Sequence, residues 1–439
     1  MNERESALKV LVKLDRDGAY ANKAIADEFR NKNCSAREKG LVTELVMGCI
    51  KRRELLDFYI MQFSKIKIRK MSYWVRNILE LGAYQIMFLS KIPNSAACSE
   101  SVALTKRYAA RSGGFVNAVL RSLVRAKDGG SLKQLDRMGG DAEYFAVMYS
   151  YPLWMVNMLI DEYGAQECEK ILAESDKPHS PMIRVNPLKY ECMTDGKVDD
   201  LKCIELLKRD GIMAVPDNEI DGCFYVNGGL DISASKLYRE GYYSLQNRSS
   251  QAAVLALDPK PGDNVIDVCA APGGKTTAIA ERMRNKGRIK AFDIHEHKVE
   301  LIKCAAKRLQ IDIIEAECHD AAVCDENCIG IFDRVLVDAP CSGLGVMHTK
   351  PDIRRTRKQE DIEELAQIQS KILEASYKYL KRGGILVYST CTILRRENEN
   401  QVRTFLKRHK DFELIGENKL MTHKTGGSGF YIAKMKYSK

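Results

Sequence analysis

Residues 264–277 read NVIDVCAAPGGKTT: a short apolar run, a glycine-rich turn and the polar start of a helix. A strand that feeds a helix through such a turn lets backbone N–H groups approach a ligand at the helix N-terminus. Two phosphate-binding patterns fail at this turn. GxxxxGK[ST] aligns on Gly274, Lys275 and Thr276 but puts Cys269 where its first glycine belongs, and Ala271-Pro272-Gly273-Gly274 contains no Gly-x-Gly. A phosphate-cradling ATPase and a dinucleotide enzyme both lose their anchor.

Downstream, RIKAFDI (288–294), IDIIEAE (311–317), FDRVLVDAP (332–340) and GGILVYSTC (383–391) are further strand-like apolar runs, most of them separated by helical stretches such as HEHKVELIKCAAKRLQ (295–310). Continuous apolar strands alternating with helices predict a parallel sheet covered on both faces. Ligands of such sheets bind beyond the C-terminal strand ends. Carboxylates stand there in series: Asp293, 26 residues after Asp267, is placed to accept from ribose hydroxyls, and Asp320 and Asp338 follow the next two strands. Such an edge suits a cationic, hydroxyl-rich ligand, and S-adenosylmethionine, a sulfonium with a ribose, fits. Any one of these aspartates alone reads more simply as a turn or helix cap.

Two cysteines also fall at strand ends, Cys341 in VLVDAPCSGLG and Cys391 in LVYSTCT. Either alone is explained as a small buried apolar residue. Together, on strands expected to be neighbours, they fit nucleophilic chemistry in which one thiol attacks and the other assists, provided that a nearby cation or helix N-terminus favours the thiolate.

The chain has 439 residues, a length at which one core gives way to two or three domains. Hydrophobic content of 45% and charged content of 29% exclude a disordered or fibrous chain. Segments such as REKGLVTELVMGCIKRRELLDFYI (37–60) and WVRNILELGAYQIMFLSKI (74–92) space apolar residues by three and four, which predicts an N-terminal helical bundle. Gly129, Gly130, Gly139 and Gly140 bracket a linker, and a small α/β module with turn-rich pieces such as VNGGL (226–230) is expected between it and residue 244. Residues 1–130 hold 24 Lys/Arg against 13 Asp/Glu, while residues 131–439 hold 45 against 46, so the whole positive excess lies N-terminally. A basic module on a neutral body suits a polyanion partner, although a solvated surface explains the charge equally well. The charged start MNERESALKV and the lack of a spanning apolar run predict a cytoplasmic protein with no membrane segment and reduced thiols. Cys324 and Cys328 in CDENC have no CxxC pair to complete four ligands, so we expect no metal and treat them as structural.

The combination of DVCAAPGGKT (267–276), DAPCSG (338–343) and STCT (389–392) resembles the RNA cytosine-C5 methyltransferases. The N-terminal IPNSAACSESVALTKR (92–107) and FVNAVLRSLVR (115–125) are similar to the antitermination factor NusB, and that union is the arrangement of the ribosomal RNA small subunit methyltransferase B family. The resemblance implies a multidomain fold: an all-α NusB-like bundle over 1–130 that binds RNA, a small α/β RNA-positioning module over 141–243, and a Rossmann-like α/β S-adenosylmethionine-dependent methyltransferase domain over 244–439. It implies that Cys391 attacks cytosine C6, that Cys341 assists removal of the C5 proton and product release, and that Asp338 binds the N3 and N4 edge. Cofactor contacts carry over to Cys269, Ala270, Ala271, Pro272, Gly273, Gly274, Lys275, Asp293, Asp320 and Asp338. The implied partner is 16S ribosomal RNA, and a monomer is expected. Transfer RNA is the second choice of substrate, and a non-catalytic RNA-binding factor is the reading from another class.

Arg184-Val185-Asn186-Pro187 resembles a family stretch that helps to position RNA, and reads equally as a strand exit closed by proline. Two departures stand out. QNRSSQ (246–251) has Asn247 and Arg248 where the family more often has acids, and HKTGGSGFY (423–431) lacks the aspartate usual before its last glycine and aromatic pair.

Overall fold

The computed structural model describes every residue except 1, 31, 33, 178, 190–192, 195–196, 228–231, 233–234, 426 and 439. Three residues of the VNGGL turn and Gly426 of the HKTGGSGFY stretch therefore lie outside the described residues. The chain forms two compact units, one of Met1–Lys177 with Met347–Arg357, the other of Pro178–Val346 with Lys358–Lys439. No described helix is long and apolar enough to cross a membrane.

The first unit is all-α. Its helices include Glu3–Asp17, Ala36–Lys51, Tyr73–Phe88, Asn94–Tyr108 and Gly113–Asp128. Ser35 starts one of them with a capping box, its hydroxyl accepting from Glu38 N–H while the Glu38 side chain accepts from Ser35 N–H. Tyr73–Phe88 is the central helix: Val75, Ile78, Leu79, Leu81 and Ala83 are all buried, and Leu8, Leu11, Val46 and Leu120 join the same core. Each such aliphatic side chain contributes about 1.5–3 kcal/mol by leaving water. Between Gly130 and Gly140, both in positive φ, the chain is irregular, but the stretch expected to be a linker has both its sides in this same unit.

The second unit carries the strands: β1 (Met182–Val185), β2 (Met193–Thr194), β3 (Lys197–Val198), β4 (Ala214–Pro216), β5 (Cys223–Val226), β6 (Tyr243–Leu245), β7 (Asn264–Asp267), β8 (Arg288–Asp293), β9 (Ile314–Cys318), β10 (Phe332–Asp338), β11 (Leu380–Thr390), β12 (Phe412–Leu420) and β13 (Phe430–Tyr437). The small module is an antiparallel sheet of order β4-β5-β1-β6 over a core of Ile183, Val185, Phe224, Val226 and Leu207.

The large sheet runs β12-β13-β11-β10-β7-β8-β9. The five strands from β11 to β9 are parallel, as their apolar character predicts. At the β11 edge the sheet departs from the all-parallel expectation, because β13 and then β12 join antiparallel. The connection between β12 and β13 is too short for the crossover that parallel pairing requires. Chain order reverses between β7 and β10, so the loops after these two strands diverge and leave room at their C-terminal ends.

Candidate active site

Everything that the sequence singled out for chemistry gathers on that rim. β7 ends at Asp267, and the turn from Val268 to Gly273 leads into the helix Gly274–Arg282. The turn is tied to its neighbours, with Val268 N–H donating to Leu336 O at 3.1 Å and Ala270 N–H to Phe292 O at 2.8 Å. Gly273 sits at φ +98° with Ile302 Cα only 3.1 Å from where a Cβ would stand, so a side chain there would be both strained and crowded. Asp267 is buried; its Oδ2 accepts from the Thr276 hydroxyl at 2.8 Å, and its Oδ1 has no hydrogen-bond partner. Burial pushes its pKa up to about 7, against the opposing bond from Thr276.

The acids surround one point. The Cys269 thiol is pushed well above its ordinary pKa, first by burial and then by the charges of Asp267, Asp338, Asp293 and Asp320. Asp293 and Asp320 also do what the simpler reading expected, each accepting from the N–H two residues on, His295 at 3.1 Å and Ala322 at 2.9 Å.

Asp338 and Ser389 are partners in the β10–β11 register, so Cys341 and Cys391 leave adjacent parallel strands side by side. Their Sγ atoms are 3.3 Å apart. Cys341 is the more buried of the two, and its pKa is raised well above the thiol range, first by its hydrogen bond with Cys391 and then by burial. Beside them Lys275 Nζ donates to Asp338 Oδ2 at 2.7 Å and lies 5.3 Å from the centre of the Phe430 ring, while Ser389 Oγ donates to Asp338 Oδ1 at 2.8 Å. Burial works against the Lys275 charge, but the Asp338 carboxylate outweighs it, with a further contribution from Cys391, and the lysine pKa is raised. The rim thus offers one thiol kept protonated, a second beside it, and a cation and carboxylate at hand.

Gly345 closes the loop that carries Cys341. Its N–H donates to Cys391 O at 3.0 Å and its carbonyl accepts from Gly429 N–H at 2.7 Å; a Cβ at Gly345 would lie 1.9 Å from Gly429 O. Only glycine fits between these backbones.

The structure gives several of the residues marked in the sequence definite partners. Lys275, grouped with the cofactor turn by resemblance, reaches across to Asp338. Arg184 is buried, paired with Glu281 at 2.7 Å and donating to Gly274 O at 3.1 Å and to Gln246, so its guanidinium supports the glycine turn from behind. Asn186 is also buried and donates to Gly241 O and Leu309 O. The two departures meet: Asn247 caps the helix Arg248–Leu257 as an aspartate would, and its Nδ2 donates to Ser428 Oγ at 3.1 Å, while Arg248 pairs with Glu219. Neutral partners stand there in place of two acids. Cys328 is buried and donates to Asp325, and Cys324 packs on the same core; no group of possible metal ligands occurs among the described residues. Sequence reading passed over Asp267, Ser389 and the buried Glu397. For the first two a signal existed, since each stands at or beside the end of a strand already marked.

Residues 254–436 match the family model "16S rRNA methyltransferase RsmB/F", residues 1–125 the NusB family and residues 151–233 the ferredoxin-like domain of RsmF/B-like methyltransferases. The chain is 36% identical to the probable ribosomal RNA small subunit methyltransferase B of Bacillus subtilis, over 99% of this chain and 98% of that one. It is 32% identical to the Yersinia enterocolitica ribosomal RNA small subunit methyltransferase B, over 92% of each. Among solved structures it resembles PH0851, with a TM-score of 0.82 at 26% identity over 99% of this chain and 98% of that one. It also resembles NSun6 from Pyrococcus horikoshii, solved with SFG, with a TM-score of 0.57 at 25% identity over 66% of this chain and 98% of that one. An all-α NusB domain, a small middle module and a Rossmann-like domain with paired thiols on its rim leave one assignment: the chain belongs to the ribosomal RNA small subunit methyltransferase B family.

Proposed function

We propose that the chain methylates C5 of a cytosine in 16S ribosomal RNA, cytosine 967 by family resemblance, using S-adenosylmethionine. The observation that carries the reading is the pair of thiols 3.3 Å apart next to the Lys275–Asp338 pair.

The rim fits the cofactor. The turn Cys269 to Lys275 supplies backbone donors at a helix start, Asp293 and Asp320 supply acceptors for hydroxyl groups, and the buried Asp267 Oδ1 still lacks a donor. A relative solved with SFG, an S-adenosylmethionine analogue, is consistent with this. When bound, S-adenosylmethionine supplies an electrophilic methyl group next to a cluster of acids that suits its sulfonium.

Cytosine C5 is a poor nucleophile, and the protein residues remedy that. Cys391 Sγ adds to C6, which turns the ring into an enamine with electron density at C5; covalent catalysis divides one hard step into two. Lys275 favours the Cys391 thiolate by its charge. Asp338, held by Lys275 and Ser389, accepts from the N4 amino group and orients the base, which must leave its stack to reach the thiol. Once C5 carries the methyl group, the C5 proton passes to a solvent base with the Cys341 thiol assisting by hydrogen bonding, and the freed electron pair re-forms the C5–C6 double bond as Cys391 leaves as a thiolate. The basic NusB-like domain docks the folded RNA, with the exposed Lys65, Lys67, Arg69 and Lys70 as candidate phosphate contacts.

Transfer of tritiated methyl from S-adenosylmethionine to small-subunit RNA, followed by nucleoside analysis, tests this. We expect 5-methylcytidine at one site from the native protein and none from Cys391→Ala; full activity of that variant would defeat the mechanism.

A further inference from the structure

The two thiols sit on separate loops, so something must hold the loops together. The residues flanking both converge on Glu397 and Asn398, within ENEN (397–400), and both are fully buried. On the Cys341 side, Glu397 Oε1 accepts from Ser342 N–H at 2.8 Å and Oε2 from Ser342 Oγ at 2.5 Å. Gln369 Nε2 donates to Glu397 Oε1 at 3.0 Å and to Pro340 O at 2.9 Å, so both neighbours of Cys341 are tied to the same carboxyl group. On the Cys391 side, Asn398 Oδ1 accepts from Thr390 Oγ1 at 2.5 Å and Asn398 Nδ2 donates to Thr392 O at 3.0 Å. Ser342 Oγ and Thr392 Oγ1 are 2.8 Å apart across the seam, and the Tyr388 hydroxyl donates to Glu397 O at 2.6 Å.

We propose that Glu397 and Asn398 are a positioning pair, a two-sided clamp that grips the neighbours of Cys341 with one residue and those of Cys391 with the next, and so sets the separation of the two thiols. Glu397 touches neither sulfur and acts through Ser342 and Gln369. A buried carboxyl satisfied by neutral donors gives up hydration without a cation in return, and an apolar residue would fill that volume at lower cost. What the carboxyl provides is direction, since its two oxygens fix Ser342 at two points. The catalytic consequence rests on the function proposed above; the geometric one does not.

Two readouts on the full-length protein separate them. Diamide removes two electrons and two protons from neighbouring thiols to leave a disulfide, and peptide mass mapping then measures the Cys341–Cys391 link. We expect the native protein to form it, and Glu397→Ala and Asn398→Ala to form it at least about ten-fold more slowly while binding S-adenosylmethionine within about two-fold of native affinity. In methyl transfer, kcat of Glu397→Ala should fall about 100-fold with KM for RNA little changed, because a misplacement of about 1 Å has that effect. The conservative Glu397→Gln should recover at least about ten-fold of that loss. Native cross-linking and turnover by Glu397→Ala would overturn the clamp. So would loss of cofactor binding in Glu397→Ala and Glu397→Gln alike, which marks a residue needed only for folding. A protein whose cross-linking depends on Glu397 but which methylates no RNA would keep the clamp and refute the function.

Discussion

Buried charge is treated in two ways in this protein. In the helical unit Arg53 is 4% exposed and fully answered: Nε donates to Glu80 at 2.9 Å, Nη1 to Asp15 at 2.7 Å, and Nη2 to Asp15 at 2.8 Å and Asn77 at 2.9 Å. Arg76 extends the network from Glu80 to Asp57, and Arg355 reaches Asp15. On the strand-end rim the pair Lys275–Asp338 keeps 13% and 27% of its side-chain surface open, beside two thiols and a carboxyl oxygen of Asp267 without a donor. In the helical network the charges around Arg53 answer one another, with Asp57 Oδ1 the one carboxyl oxygen among them that has no donor, and the arrangement serves the fold. The open one retains capacity, as a site must.

The comparison can be broken most severely at Cys391. Its replacement by Ala should lower methyl transfer by about 10⁴-fold or more, as loss of a nucleophile does, with the melting temperature of the protein little changed. Arg53→Ala should do the reverse. It takes from the buried Asp15 and Glu80 the guanidinium they share, leaving each only its more exposed partner, Arg355 or Arg76, and should cost about 3–5 kcal/mol in denaturant unfolding, with cofactor affinity in the other unit retained. Lys275→Met opens the rim pair rather than the helical network; we expect kcat to fall about 100-fold, in the range for one lost electrostatic contact, and stability to change much less.

A smaller effect sharpens the contrast through pH. The native pKa of Asp267 is raised to about 7, above its unfolded value, so the stability it contributes is full in acid and is lost as pH rises through about 7. Between pH 5.5 and 8 the melting temperature of the native protein should fall more than that of Asp267→Asn. Least of all should matter the exposed pair Arg288–Glu315, both about half exposed, where Arg288→Ala should change stability by less than about 1 kcal/mol.

The rim was legible in the sequence because a parallel sheet delivers its chemistry at strand ends, and Cys269, Asp293, Asp338, Cys341 and Cys391 stand at or just beyond them. The rest depended on pairing across long chain separations, which no local pattern encodes. Lys275 belongs with Asp338, 63 residues on, and Arg184 with Glu281, 97 residues on. Glu397 lies in a run of polar residues that reads as an exposed helix start; only the packing of Tyr388, Gln369 and Ser342 around it makes it a buried clamp. Nor does any local signal in MHTKPDIRRTR (347–357) announce that this segment belongs to the helical unit, where Arg354 donates to Lys51 O at 3.1 Å and Tyr149 O at 2.8 Å.

Whether Cys391 bonds to the pyrimidine is open to direct measurement. Incubating the full-length protein and S-adenosylmethionine with small-subunit RNA containing 5-fluorocytosine, which has no C5 proton to lose, should stall the reaction with the base still attached. Mass mapping should then find one RNA-linked peptide, carrying Cys391. A link through Cys341, or ordinary methylation of cytosine with no link to either thiol, would contradict the assignment.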